Sequence, residues 1–420
     1  MAQWFHRNPI KATAVVGFEL KGVLSTPQAG KICSELRLRR KRLLELMADA
    51  NNDTETVEGE FKLYMGIFHG FLFAVNSEGG ESKLRHLLTF KWSQSVLGLQ
   101  PIELSDCWFE ALSMVVNMAL WYGKHAAKLA GKDEVRDSEA KEVHRSLRKA
   151  AGLFNWVKEN KDKVSGSMDV SVEGGSDTDA AVLTAYSLQC QAEAQEVTVA
   201  RAIELKHAHS LVSALSSATA QLFASADSSL SSQNPMFFEK WRKYFQLKFH
   251  FYMAYAYAYL GESLLAEDKC GDAVRACKQG VESYTTAQQL CKVYAETKGL
   301  GLAIKPERHK FFTRILPILQ RHLEKAEREN GFIYHQKVPE TVPSLEERTT
   351  HGLVSAESFE LPSKSELWTE QAFLAFNIGK ASTPKFEKAK KSSKSLAEVK
   401  EAPIYQKSAD HDGASGCVLS

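Results

Sequence analysis

No stretch of this sequence is long and apolar enough to cross a bilayer. The longest apolar-looking run, Phe251 to Leu260, is ten residues interrupted by tyrosines, against the ~18–20 that a span needs. Catalytic signatures are missing as well. There is no His-Glu-x-x-His, no phosphate-cradling Walker loop, no Gly-x-Ser-x-Gly elbow and no glycine-rich turn between strand and helix. That removes the common zinc-hydrolase, nucleotide-hydrolase, α/β-hydrolase and dinucleotide-binding classes. The seven cysteines, at 33, 107, 190, 270, 277, 291 and 417, have neither the even count nor the paired spacings of a disulfide framework or zinc site, which fits a reducing compartment. His207-Ala208-His209 is the one close histidine pair, and a spacing of two on a helix points the imidazoles apart. Charge of one sign is scarce too: 53 Lys plus Arg stand against 51 Asp plus Glu, so the molecule as a whole has no pull on a polyanion. Arg7 and Pro9 fall within the first ten residues with no apolar stretch after them, so the beginning does not read as a secretory leader. These absences predict a cytoplasmic, non-enzymatic protein with no metal and no bound cofactor.

What the sequence has in abundance is helical periodicity. From Pro27 to Asn330, apolar residues recur at three- and four-residue spacing in stretches rich in Ala, Leu, Glu, Lys and Gln, which predicts long helices. The spacing places them at 27–50, 56–76, 80–95, 104–130, 138–160, 178–226, 234–267, 270–297 and 307–329. Residues 12–18 alternate weakly and predict a short strand. The fold class is therefore all-α dominated with a minor N-terminal β element. Tyr255-Ala256-Tyr257-Ala258-Tyr259-Leu260-Gly261, followed by Gly271 and Tyr284, alternates small and large residues as a tetratricopeptide hairpin does. After Asn330 the chain turns extended and proline-punctuated, and is expected to run over the helical body. Between Lys380 and Lys407, eight lysines face three glutamates, a composition too polar to bury a core, so 376–420 is expected to be a flexible basic tail.

Two features carry possible chemistry. The final residues Cys417-Val418-Leu419-Ser420 fit a prenylation box, whose terminal Ser selects a farnesyl group. A single prenyl chain binds membranes reversibly, and the tail lysines would supply the second, electrostatic contribution. Arg37, Arg39, Arg40, Lys41 and Arg42 form a basic cluster that reads as a solvated helix face. The alternative is a helical nucleic-acid-binding protein that uses cluster 37–42, although no nucleic acid is expected.

Six segments in order resemble one known family. They are Trp4 to Pro9, Phe90-Lys91-Trp92, Asn117 to Tyr122, Lys149 to Phe154, Gln191 to Val197 and Gly331 to Pro339. Together they resemble the BRO domain shared by Alix-type ESCRT adaptors, over residues 1–375. The resemblance implies a banana-shaped helical domain with a tetratricopeptide-like core. Its concave face would bind the C-terminal amphipathic helix of ESCRT-III charged multivesicular body proteins of class four. It also implies residence on endosomal or nuclear-envelope membranes, with the protein otherwise cytoplasmic. By the same resemblance Asp137 and Lys141 would contact the partner's polar side, and Thr198, Leu211 and Leu215 would form the apolar patch. Thr198 stands where Alix-like members carry an aromatic residue, and His351 where close relatives carry a tyrosine.

Overall fold

The structure, a computed structural model, describes residues 3–20, 22–75, 80–164, 175–301, 305–346, 352–380, 390–391 and 395–405. It opens with an extended segment, Gln3 to Leu20, threaded through the interior, with Trp4, Phe5, His6, Asn8 and Lys11 all buried. Helices α1 (Pro27–Met47) and α2 (Thr54–Leu72) follow, then a hairpin of β1 (Phe90–Gln94) and β2 (Gly98–Leu104). The body consists of α3 (Cys107–Ala130), α4 (Asp137–Asn160), α5 (Ala180–Glu204), α6 (His209–Ser229), α7 (Pro235–Ala266) and α8 (Cys270–Glu296). Short α9 (Lys310–Thr313), α10 (Leu316–Glu329), α11 (Glu370–Leu374) and β3 (Lys390–Lys391) complete it.

Local chemistry sets the helix starts. Thr26 caps α1 by accepting the Ala29 N–H, and Pro27 occupies the first turn; Asp53, Asp106, Asp179 and Asn234 cap α2, α3, α5 and α7 in the same way. From α3 to α8 each helix packs on the next, and α10 lies back across α7 and α8. The alternation seen in α7 serves this stacking. Gly261 lets α8 approach so closely that an added Cβ would stand 2.3 Å from Cys277 Sγ, while Tyr252, Tyr255 and Tyr259 fill the space between hairpins. The mostly helical, tetratricopeptide-like expectation therefore holds.

Several boundaries differ from the sequence reading. No helix spans 80–95: Leu84, Leu87 and Leu88 mimic a helical stripe, but Ser82 Oγ donates to Gly70 O at 2.6 Å and Arg85 is drawn into a pair with Asp106 at 2.8 Å, so turns lead into β1. The β element consequently lies at 90–104. β3 joins it as the third antiparallel strand, in the order β1-β2-β3, and the N-terminal segment adds a single bridge, Thr13 to Trp92. The helix expected over 178–226 is two helices, α5 and α6. The one expected over 307–329 breaks at Arg314–Ile315, just before Pro317.

The α5–α6 break has a clear mechanism. Leu205 ends α5, Lys206 takes a left-handed φ of 54°, its N–H reaches Ile203 O, and the His207 N–H reaches Ala202 O at 3.0 Å. This is the six-to-one and five-to-two hydrogen-bond pair of a Schellman ending, with Lys in the position glycine usually fills.

Extended chain covers one side of the body, as the prolines predicted. Residues 355–368 cross α4 and then α2. The Glu357 N–H bonds Arg148 O, Ser365 N–H bonds Gly66 O, and Trp368 Nε1 donates to Ile67 O at 2.5 Å. Glycine is required beneath it: a Cβ on Gly152 would sit 1.7 Å from Glu357 O.

The tail does not stay off the body from Gly379 onward. Residues 395–405 dock again. Leu396 N–H bonds Leu99 O, Ala402 N–H bonds Ala48 O, Glu401 accepts from Ile10 N–H at 2.9 Å and pairs with the buried Lys124. Tyr405 closes the clasp, its hydroxyl accepting from Phe5 N–H at 2.8 Å and donating to Phe5 O at 3.0 Å. Packing resumes because a few well-placed side chains, Glu401, Ile404 and Tyr405, suffice to hold a lysine-rich stretch.

Candidate functional site

Helix α5 lies between α4 and α6, and the two ends of the sequence-predicted site meet there. Asp137 opens α4 and is well exposed. Its carboxylate pairs with Arg201 near the end of α5 at 2.7 Å, and Arg201 also holds Glu204 at 2.7 Å. Asp137 thus enters any contact already shared with Arg201, a residue that sequence reasoning missed. Lys141 stands one turn further along α4 and is exposed. The start of α4 is fixed by Glu139, which accepts from the Arg136 N–H and from the Arg136 and Lys132 side chains; these hold its carboxyl down to about 2.

The apolar positions are unequal. Thr198 on α5 is half-buried, with its hydroxyl turned back to Ala194 O at 3.3 Å. Leu211 on α6 is also half-buried and packs against the core. Leu215, one turn on, is only 6% exposed and belongs to the core cluster. Val212, on the neighbouring stripe, is fully inside at 1%. Because the α5–α6 turn reverses the chain, Thr198 and the two leucines sit on different, antiparallel helices rather than on one continuous face. The same turn exposes Leu205 at 60%, which extends the open apolar surface. Nothing in the sequence flagged it, since the turn contains neither glycine nor proline.

Beneath this surface α5 is anchored by buried charge. Glu193 takes both guanidinium arms of Arg7, at 2.8 and 2.6 Å, and the Tyr244 hydroxyl at 2.7 Å. Glu196 and Lys248 face one another at 2.8 Å with neither side chain exposed. Burial pushes the Glu196 carboxyl up to about 7 and the Lys248 ammonium down to about 8, each opposed by the other's charge.

Each member of the basic cluster of α1 has a partner within the molecule, although Arg37, Lys41 and Arg42 stay exposed. Arg37 donates to Gly17 O, Arg39 and Arg42 reach Glu60, Lys41 pairs with Glu45, and Arg40 is buried against Glu110 at 2.8 Å. The nucleic-acid reading of residues 37–42 is therefore not favoured. Among the described residues, no group of three His, Cys, Asp or Glu could hold a metal ion, and no helix is long and apolar enough to cross a membrane. Cys417, His351 and the tail lysines Lys385, Lys388, Lys394 and Lys407 lie outside the described residues.

With this geometry in place, the comparisons are direct. The family model for the BRO1-like domain matches residues 36–376, and the chain belongs to that family. Its place within the family is among the BROX proteins. It is 50% identical to the BRO1 domain-containing protein BROX homolog of Caenorhabditis elegans over the full length of both chains. It is 47% identical to BROX of Homo sapiens over 90% of this chain and 92% of that one. Among solved structures, the ALIX BRO1 domain in its complex with CHMP4C superposes with a TM-score of 0.60 at 18% identity, covering 87% of this chain and 99% of that one. That likeness speaks to the fold.

Proposed function

We propose that this protein is an ESCRT-associated adaptor that captures the C-terminal amphipathic helix of a class-four charged multivesicular body protein along the α4–α5–α6 surface. The observation that carries the reading is the Asp137–Arg201 bridge, which sets exposed Lys141 on one side of α5 opposite half-buried Leu211 and exposed Leu205 on the other. Apolar and charged groups on facing helices suit a helix that is apolar on one side and charged on the other. Family membership and the ALIX–CHMP4C likeness support the same partner class. Leu215 serves from below, supporting Leu211. With Thr198 in place of an aromatic, the α5 edge contributes less contact area.

Cys417 supplies membrane residence in this reading. Its sulfur displaces diphosphate from C1 of farnesyl diphosphate, forming a thioether and releasing the thiol proton to solvent. Together with tail lysines such as Lys400, the lipid holds the otherwise cytoplasmic chain on endosomal or nuclear-envelope membranes. Confinement there raises the effective concentration of partner tails.

The test is a titration of the full chain with C-terminal helices from the ESCRT-III proteins. Leu211→Asp is expected to weaken binding of a class-four tail by at least about tenfold with the thermal transition retained. Leu215→Asp puts a charge in the core and reports on folding instead. No binding of any tail by the unmodified sequence would overturn the reading.

A further inference from the structure

Residues 401–405 run alongside the end of α3 and in step with it. Glu401 meets Lys124, Pro403 O accepts from Lys128 Nζ at 2.9 Å, and the Tyr405 ring rests on Gly131, where an added Cβ would stand 3.0 Å from it. Four residues of extended chain cover ~13 Å, and the helical rise from Lys124 to Gly131 is ~10.5 Å, so the match needs little bending. The opposite wall is the N-terminal segment. There the Ile10 N–H donates to the Glu401 carboxylate, and the Phe5 backbone exchanges two hydrogen bonds with the Tyr405 hydroxyl. Ala48 O closes the furrow by accepting the Ala402 N–H at 3.0 Å.

The furrow specifies its ligand. Phe5 and Ile10 are buried, and the partners of their N–H groups among the described residues are the Tyr405 and Glu401 side chains. Buried donors need acceptors, and here a hydroxyl and a carboxylate four residues apart supply them. Lys124 and Lys128, four apart on one face of α3, give that wall its positive charge. Pro403 holds the residue before it extended, which lowers the entropy lost on docking. The segment that brings these groups is lightly held. Of residues 395–405 only Ile404 is buried, and the segment lies beyond the family-matched residues 36–376. The covering segment 355–368 lies within them and buries Trp368.

We propose that the furrow between α3 and the N-terminal segment is a recognition site for an extended acidic peptide of a partner protein, with the pattern Glu-x-Pro-x-Tyr, and that residues 395–405 occupy it in cis as an autoinhibitory ligand. Tethering gives the strap an effective concentration on the order of millimolar, so the partner gains the site when the strap lets go. The furrow shares no residue with the α4–α5–α6 surface and does not depend on Cys417.

The experiment uses the full chain and a fluorescent peptide with the sequence of residues 395–405. Glu401→Ala with Tyr405→Ala removes both anchors of the strap and leaves the furrow intact. The peptide should bind this double variant at least about tenfold more tightly than the unsubstituted chain, with the thermal transition retained. A peptide carrying the same two changes should not bind. Adding Gly131→Val, at a backbone φ of −73° that valine adopts, should abolish binding by filling the seat of the tyrosine ring. In the unsubstituted chain, amide exchange should be faster across 395–405 than across 355–368. Equal binding to both chains, or binding to neither, would overturn the proposal. So would loss of the thermal transition in the double variant, which would make the strap part of the fold. Concentration-dependent dimers that Tyr405→Ala dissolves would give the furrow to a second copy and overturn the cis assignment.

Discussion

Helix α5 has two sides that are held in opposite ways. Toward the N-terminal segment it presents Glu193 and Glu196, each sealed from water and matched to Arg7 or Lys248. Toward α4 and α6 it presents Thr198 and Arg201, half-open, and its last turn leads into exposed Leu205. Matched buried charges tolerate little displacement, because separating them leaves an ion in a medium that cannot solvate it. A half-open apolar surface can change neighbours at small cost. The fold thus places its strictest geometry directly behind the surface proposed to accept a partner, which gives that surface a rigid support.

Removing the support should have the largest effect. Lys248→Met takes away the ammonium that opposes burial at Glu196, leaving the Glu196 carboxyl in the interior without its ion partner, and should cost about 3–5 kcal/mol in urea denaturation, whereas adding Glu196→Leu should restore most of it. If the single change were harmless, α5 would not be held as described.

The pH response separates the two sides next. Burial drives the His6 imidazole, between Tyr294 and Asn8, from 6.5 down to about 3. Between those values the unfolded chain binds a proton that the folded chain excludes. This group's contribution to stability should therefore be complete above about pH 6.5 and be lost as the solution is acidified, with a limiting slope of ~1.4 kcal/mol per pH unit. Glu196, raised to about 7, contributes a slope of opposite sign below that value. Compared with the unsubstituted chain, His6→Gln should shift the pH 7 to pH 5 dependence of the denaturation midpoints toward greater stability at low pH, while mutations on the open side should leave the dependence unchanged.

An intermediate effect is expected where extended chain meets helix. Gly152→Ala pushes on Glu357 O and should cost about 1–3 kcal/mol, with faster amide exchange confined to the covering segment. The smallest effect belongs to the open side. Asp137→Asn breaks an exposed pair with Arg201 and should change stability by less than ~1 kcal/mol, yet it should alter the titration with partner helices. A large loss of stability there would mean that the two sides of α5 are not distinct.

Most helices were legible because their apolar stripes are long and their capping residues ordinary. The failures share a physical cause: the deciding interaction was distant in sequence or atypical in residue type. Residues 80–95 carry a helical stripe, but Asp106 holds Arg85 elsewhere. Lys206 ends α5 in a conformation that glycine usually marks. Arg40 resembles its solvent-facing neighbours until Glu110, seventy residues away, explains its burial. Residues 395–405 have the composition of a solvated tail and are held by side chains such as Glu401 and Tyr405, whose partners Ile10, Lys124 and Phe5 are far away in sequence. For the candidate site, residue identities came from family resemblance. The division between supporting Leu215 and accessible Leu211, and the roles of Arg201 and Leu205, required the turn that separates α5 from α6.

The clasp between Tyr405 and Phe5 also has a mechanical consequence. Force applied to the chain beyond residue 405 meets first the paired hydrogen bonds to Phe5, then Pro403 O on Lys128 and Glu401 on Lys124, both lysines on α3. The segment it loads is the one joined to Gln3–Leu20, which Arg7 and Lys11 fasten inside the domain. Tension on the C-terminal side is thereby transferred to a segment anchored in the interior through Trp4, Phe5, His6, Asn8 and Lys11. Single-molecule pulling from the two termini should show an early, distinct rupture when the clasp opens, and Tyr405→Phe should lower the force at which it occurs.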